Sequence, residues 1–111
     1  MKTMGAPAGD TLDTFKQISE SARAASDLLK ALSNETRLMI LCMLVENEMT
    51  VRDLEAALNM RQPAVSQQLS RLRAENLVST RRDGKMIYYG LASSEARAVI
   101  QTLYGIYCAP A

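Results

Sequence analysis

From Leu12 onward, apolar residues fall at Phe15, Ile18, Ala22, Ala25, Leu29 and Leu32, in steps that alternate between three and four. That spacing predicts one narrow stripe on a helix, suited to a seam against another helix. Ser33 offers an N-cap for a second helix, with Glu35 in its first turn near the positive end of the dipole. The second helix, to about Glu46, carries Met39-Ile-Leu-Cys-Met-Leu-Val45 and is apolar on every side, which predicts a central buried helix. Thr50 and Asp53 have the spacing of a capping box and open a short helix ending near Asn59, with Val51, Leu54 and Leu58 inside. After the turn Asn59-Met60-Arg61, Pro63 suits the first turn of a fourth helix, where its missing N–H costs nothing. That helix is expected to reach about Asn76, with Val65, Leu69 and Leu72 inside.

Val78–Arg82 and Met86–Leu91 read as two strands, and Asp83-Gly84 between them is a hairpin signal. Ser93 or Ser94 caps a last helix through Val99, Ile100, Leu103, Tyr104, Ile106 and Tyr107, with Cys108 at its end. The expected class is mainly α: about five helices and a two-stranded wing, a winged helix-turn-helix. Residues 1–11, with Gly5, Pro7 and Gly9, are expected to form a flexible tail, 12–108 the domain and 109–111 a C-terminal tail.

Composition narrows this picture. The 111 residues suit one small domain, and 48% are hydrophobic, but only five are aromatic and none is Trp. A core of Leu, Ile, Val, Met and Ala in so small a chain buries a modest share of surface, and a homodimer would enlarge it. The longest apolar run, Leu38–Val45, is far short of the ~20 residues needed to cross a bilayer. With no secretory-type leader at Met1–Asp10, the expected compartment is the cytoplasm, where thiols rest reduced.

The net charge of +1 hides an asymmetry. Between Arg61 and Lys85, six basic residues face two acidic ones, giving +4 against −3 for the remainder. A compact basic region on a mildly acidic protein is the footprint of a polyanion partner. Within it the fourth helix turns Gln62, Ser66, Gln67, Ser70 and Arg73 outward. Glutamine can pair with a base edge, adenine by preference, and serine donates or accepts. Arg71 lies on the same helix, and Arg81, Arg82 and Lys85 of the hairpin suit phosphates or the minor groove. The expected partner is double-stranded operator DNA. A solvated charged face is the alternative for any one of these features, and their order along the chain argues against it.

Leu32-Ser-Asn-Glu-Thr-Arg-Leu38, the run Arg61-Gln-Pro-Ala-Val-Ser-Gln-Gln-Leu-Ser-Arg-Leu72, Arg82-Asp-Gly-Lys85 and Tyr88-Tyr89 together resemble the ArsR family of bacterial winged-helix repressors. The resemblance spans about Asp27 to Leu103. It implies a homodimer whose first and last helices form the interface, operator binding by Gln62–Glu75 with the wing, and a chemical signal that lowers DNA affinity. The metal-sensing branches of that family place cysteines on the helix corresponding to Thr50–Leu58, or His and Asp on the last helix. This chain has no His, and Val51-Arg-Asp-Leu54 has no Cys. A zinc-type site wants about four N or S ligands, so no metal or cofactor is expected. A thiophilic ion of the As(III) type needs fewer and stays an alternative.

The fragment Ile40-Leu-Cys-Met-Leu-Val-Glu-Asn-Glu-Met49, with the fourth helix, resembles the sulfide-responsive branch of the family. That resemblance implies that Cys42 and Cys108, 66 positions apart, are joined by a polysulfide bridge when reactive sulfur species act as inducer. A general oxidant is a further alternative for the same pair. For either cysteine alone the plain readings are a small core hydrophobe at 42 and an incidental thiol at 108. An enzyme is not expected: there is no His, no Gly-rich phosphate loop and no nucleophile–base pair near either Cys.

Overall fold

The computed structural model describes residues 11–108. Apart from Thr11, which is helical, the two expected tails lie outside the described residues. The chain divides after Lys30 into two compact units.

The described residues of the first unit, 11–30, lie on one long helix. α1 runs Thr11–Leu32, with Asp13 in its first turn and Lys30 in its last, both complementing the dipole. The predicted stripe is present and open: Phe15 is 69% exposed, Ile18 55% and Leu29 58%. Side chains of this size gain by leaving water; of the stripe only Leu32, the last residue of α1, is buried.

In the second unit, α2 spans Glu35–Glu46 and is capped by Asn34, not by Ser33. Asn34 Oδ1 accepts from the Arg37 N–H at 3.0 Å. A cap must reach the N–H three residues on, and with Glu35 as the first helical residue only position 34 does so. Arg37 Nε in turn donates to the Ala31 carbonyl at 2.8 Å, satisfying a group that the end of α1 leaves open. The expectation of burial all round α2 needs correcting. Ile40, Leu41 and Leu44 are buried, but Met39 is exposed and Cys42, Met43 and Val45 are half-buried. The elements packed on α2 in this unit, α3 (Val51–Leu58), α4 (Gln62–Ala74), β2 (Met86–Leu91) and α5 (Ser94–Tyr107), cover only part of its circumference.

The predicted capping box is formed: Asp53 N donates to Thr50 Oγ1 and Thr50 N to Asp53 Oδ2, each at 3.0 Å. α3 ends where Asn59 turns left-handed at φ 53, and Met60 N–H closes on the Glu55 carbonyl. Three residues later α4 begins, with Pro63 in its first turn. Val65, Leu69 and Leu72 are fully buried, as expected. α4 stops at Ala74, two residues short of the predicted end, because Asn76 takes φ 61 and Leu77 N–H returns to the Leu72 carbonyl.

β1 (Val78–Asp83) and β2 pair antiparallel with Arg81 opposite Tyr88 and Asp83 opposite Met86. The two-residue loop is therefore Gly84-Lys85 rather than Asp83-Gly84. Only Gly84 has positive φ, the arrangement of a II′ turn. Met49 adds a bridge to the free edge of β2, exchanging hydrogen bonds with Tyr89 at 3.0 and 2.8 Å. Ser93 caps α5 through the Ala96 N–H at 3.0 Å. Ala96 and Ile100 face the core, and Arg97 Nη1 donates to the Val45 carbonyl at 3.0 Å, tying α5 to the last turn of α2. Five helices, with a hairpin following a short-turn helix pair, make a winged helix-turn-helix.

Thr50 is the one buried polar side chain among the described residues, 6% exposed. Thr50→Ala should lower stability by about 1 kcal/mol, and Thr50→Ser should retain most of it. Urea unfolding monitored by circular dichroism gives both values, and an unchanged Thr50→Ala midpoint would show that the box does not hold α3.

Candidate DNA interface and dithiol pair

α4 is held on one side by Val65, Leu69 and Leu72 against the core, which leaves the other side to present polar groups. At about 100° per residue, Gln62, Ser66, Ser70 and Arg73 fall within an arc of about 80°, and Gln67 and Arg71 lie further round. All are exposed except Ser66, which is half-buried. Gln62 Nε2 donates to Ser66 Oγ at 2.8 Å across one turn. That bond uses one of two amide hydrogens, so the second hydrogen and Oε1 stay available for a base edge. Arg71 and Arg73 sit in the last turn, where cations also favour the negative end of the helix.

The wing splits the basic residues between its two faces, because side chains alternate along a strand. Arg81 is engaged. Its Nε and Nη2 converge on Glu48 Oε1 at 2.9 and 2.8 Å, Nη1 lies 3.9 Å from Asp83, and the guanidinium covers the Tyr88 ring at 4.7 Å. The hydrogen bond that Arg81 donates to Glu48, then the Glu48 charge, raises the Arg81 pKa above its ordinary value. Arg82 and Lys85 are exposed and make no ion pair among the described residues. Nothing in the sequence signalled Glu48: it lies 33 positions before Arg81, and only the Met49–Tyr89 bridge brings them together.

The two cysteines sit on packed helices. Cys42 is half-buried in the middle of α2, and Cys108 is exposed as the C-cap of α5, its N–H bonded to the Tyr104 carbonyl. Both thiols are free. Burial, and then the nearby charge of Cys108, push the Cys42 thiol up. α2 and α5 pack against each other, so two cysteines 66 positions apart in sequence sit on neighbouring helices. Among the described residues no three or more His, Cys, Asp or Glu side chains gather as a metal site, and no helix is long and apolar enough to cross a membrane.

Residues 34–80 match the profile "Bacterial regulatory protein, arsR family", a stretch that begins at the α2 cap and ends in the wing. The transcriptional activator HlyU of Vibrio cholerae is 42% identical over 94 residues, 85% of this chain and 87% of its own. The biofilm growth-associated repressor of Agrobacterium fabrum is 49% identical over 83 residues, 75% of this chain and 71% of its own. Reduced HlyU from V. cholerae superposes with a TM-score of 0.80, covering 84% of this chain and 98% of that one. The transcriptional repressor BigR from Xylella fastidiosa superposes at 0.78 with 41% identity, covering 85% and 93%. With identity at this level over most of both chains, the protein belongs to the arsR family of bacterial regulatory proteins and is a helix-turn-helix transcriptional regulator.

Proposed function

We propose that this regulator is a repressor that binds double-stranded operator DNA as a homodimer and releases it when reactive sulfur species link Cys42 to Cys108. The observation that carries the switch is the packing of α2, which holds Cys42, against α5, which ends at Cys108, with the charge of Cys108 felt at Cys42. In this reading α4 enters the major groove with Gln62, Ser66, Gln67, Ser70 and Arg73, while Arg71, Arg82 and Lys85 meet phosphates. The dimer reading is supported by the exposed apolar residues of α1 and by Tyr104, Ile106 and Tyr107 of α5, 58%, 66% and 80% exposed. Repression follows the 49% identical relative and BigR, both named as repressors. A relative solved in a form named as reduced supports redox chemistry in this branch.

The exposed Cys108 is the first nucleophile. Its thiolate attacks the outer sulfur of an organic persulfide, RSSH, giving Cys108–SSH and RSH. Cys42 is converted in the same way by a second RSSH. The Cys108 persulfide anion then attacks the Cys42 Sγ, and HS⁻ leaves. In sum, two RSSH and two protein thiols give two RSH, one hydrogen sulfide and a Cys42–S–S–S–Cys108 bridge. A chain with an inserted sulfur spans a wider gap than a direct disulfide, whose Cα atoms must lie ~4.4–6.8 Å apart. That difference is what would separate sulfur donors from simple oxidants. The bridge pulls on α2, which packs against both α3 and α4, and alters the spacing of recognition helices in a dimer.

Two measurements test this reading. Intact mass after treatment with an organic persulfide should rise by whole sulfur atoms less two hydrogens, with loss of operator binding; in Cys42→Ser or Cys108→Ser the remaining thiol should gain sulfur without loss of hydrogen, and operator binding should persist. Release by peroxide alone would favour a general oxidant sensor, release by As(III) a thiophilic metalloid sensor, and release by persulfide from the double Ser variant would overturn the dithiol. Separately, iodoacetamide should modify Cys108 faster than Cys42 at pH 7. The midpoint of the Cys42 rate against pH should lie above 9.0, since burial raises its pKa from that value. Equal rates with one shared pH midpoint would contradict the assigned order of attack.

A further inference from the structure

The wing is braced on one face by a residue outside it. In the β1–β2 register Arg81 faces Tyr88, and Gly90 follows two positions later on the same face. Glu48 lies over that face. A Cβ on Gly90 would meet Glu48 Cγ at 3.3 Å, tighter than ordinary contact, so the missing side chain is the space in which the Glu48 stem runs. From there Oε1 reaches two nitrogens of Arg81, whose guanidinium is also stacked on Tyr88. The adjacent residue, Met49, is hydrogen-bonded both ways to Tyr89. Backbone and side chain therefore fasten the same hairpin to the segment between α2 and α3, at neighbouring positions.

We propose that Glu48 and Arg81 are positioning residues for DNA binding: the pair fixes the wing against the helix-turn-helix, and leaves Arg82 and Lys85 as the wing's phosphate ligands. An arginine bound through two nitrogens to a carboxylate and through its face to an aromatic ring has its plane fixed and its charge offset before any phosphate arrives. Arg82, on the opposite face, and Lys85, in the turn, carry no such engagement. The carboxylate also repels phosphates, so its presence beside a DNA-facing wing makes sense only if orientation outweighs that repulsion. The inference rests on the wing contacting DNA.

The test is operator affinity as a function of salt for the full chain and single variants. Removing one phosphate ligand should flatten the log–log salt dependence by about one. Arg82→Ala should do so. Arg81→Ala should weaken binding by about 2- to 5-fold at fixed salt, the range of an exposed ion pair, with the slope unchanged. Glu48→Ala should weaken it similarly despite removing a negative charge, and should add little in an Arg81→Ala background. Glu48→Gln, which keeps the stem over Gly90, guards against loss of packing and should weaken binding too. Glu48 variants that bind as well as or better than the parent, or an Arg81→Ala slope reduced like that of Arg82→Ala, would overturn the inference and return Arg81 to the phosphates. If Arg82→Ala and Lys85→Ala both leave affinity and slope unchanged, the wing does not contact DNA, and this inference fails with that reading.

Discussion

The burial of Val65, Leu69 and Leu72 fixes α4 on one side and leaves its polar side exposed, the condition that a helix must meet to read DNA. With those three side chains fully removed from water, the helix cannot rotate without exposing apolar area at roughly 25 cal/mol per Å². Its polar arc is thereby aimed by the core. The two left-handed asparagines set its limits. Asn59 closes α3 before it and Asn76 ends the stretch after it, each at a position where a β-branched residue would be strained.

α2 transmits whatever happens elsewhere to that arc. It packs on α3, α4, α5 and β2, and its last turn is held by Arg97 from α5. A change at Cys42 therefore acts on an element that touches both halves of the helix-turn-helix, while Cys108 sits at an exposed helix end. In the proposed switch this asymmetry gives the accessible thiol the capture of sulfur and the half-buried thiol the coupling to the core. Thiolate chemistry follows access as well as pKa, and a half-buried cysteine with a raised pKa is a poor first nucleophile.

The wing is held by polar contacts from outside it. Its base is tied by the Ala92–Leu77 hydrogen bond, its edge by Met49, and its outer face by Glu48. An exposed ion pair contributes little to stability. Its place in this fold is geometric, because it joins two segments that must keep a constant angle if a helix and a hairpin are to touch one duplex together.

Much of this was legible in the chain itself. The alternation of three- and four-residue steps determined α1. The Thr50–Asp53 spacing determined the start of α3, Pro63 the start of α4, and Asp83-Gly84 the hairpin, since each depends on contacts within a few residues. The second-helix cap is Asn34 and not the expected Ser33: both residues are good caps, and the choice follows from the first helical residue being Glu35. The turn register shifted by one because strand pairing, not the dipeptide, decides which two residues loop. How much of α2 is covered, how near Cys42 lies to Cys108, and which wing arginine is occupied by Glu48 are long-range outcomes. They depend on packing between elements 33 to 66 positions apart. A pattern of residues can specify which face of a helix is apolar, but only the assembled core decides what that face meets.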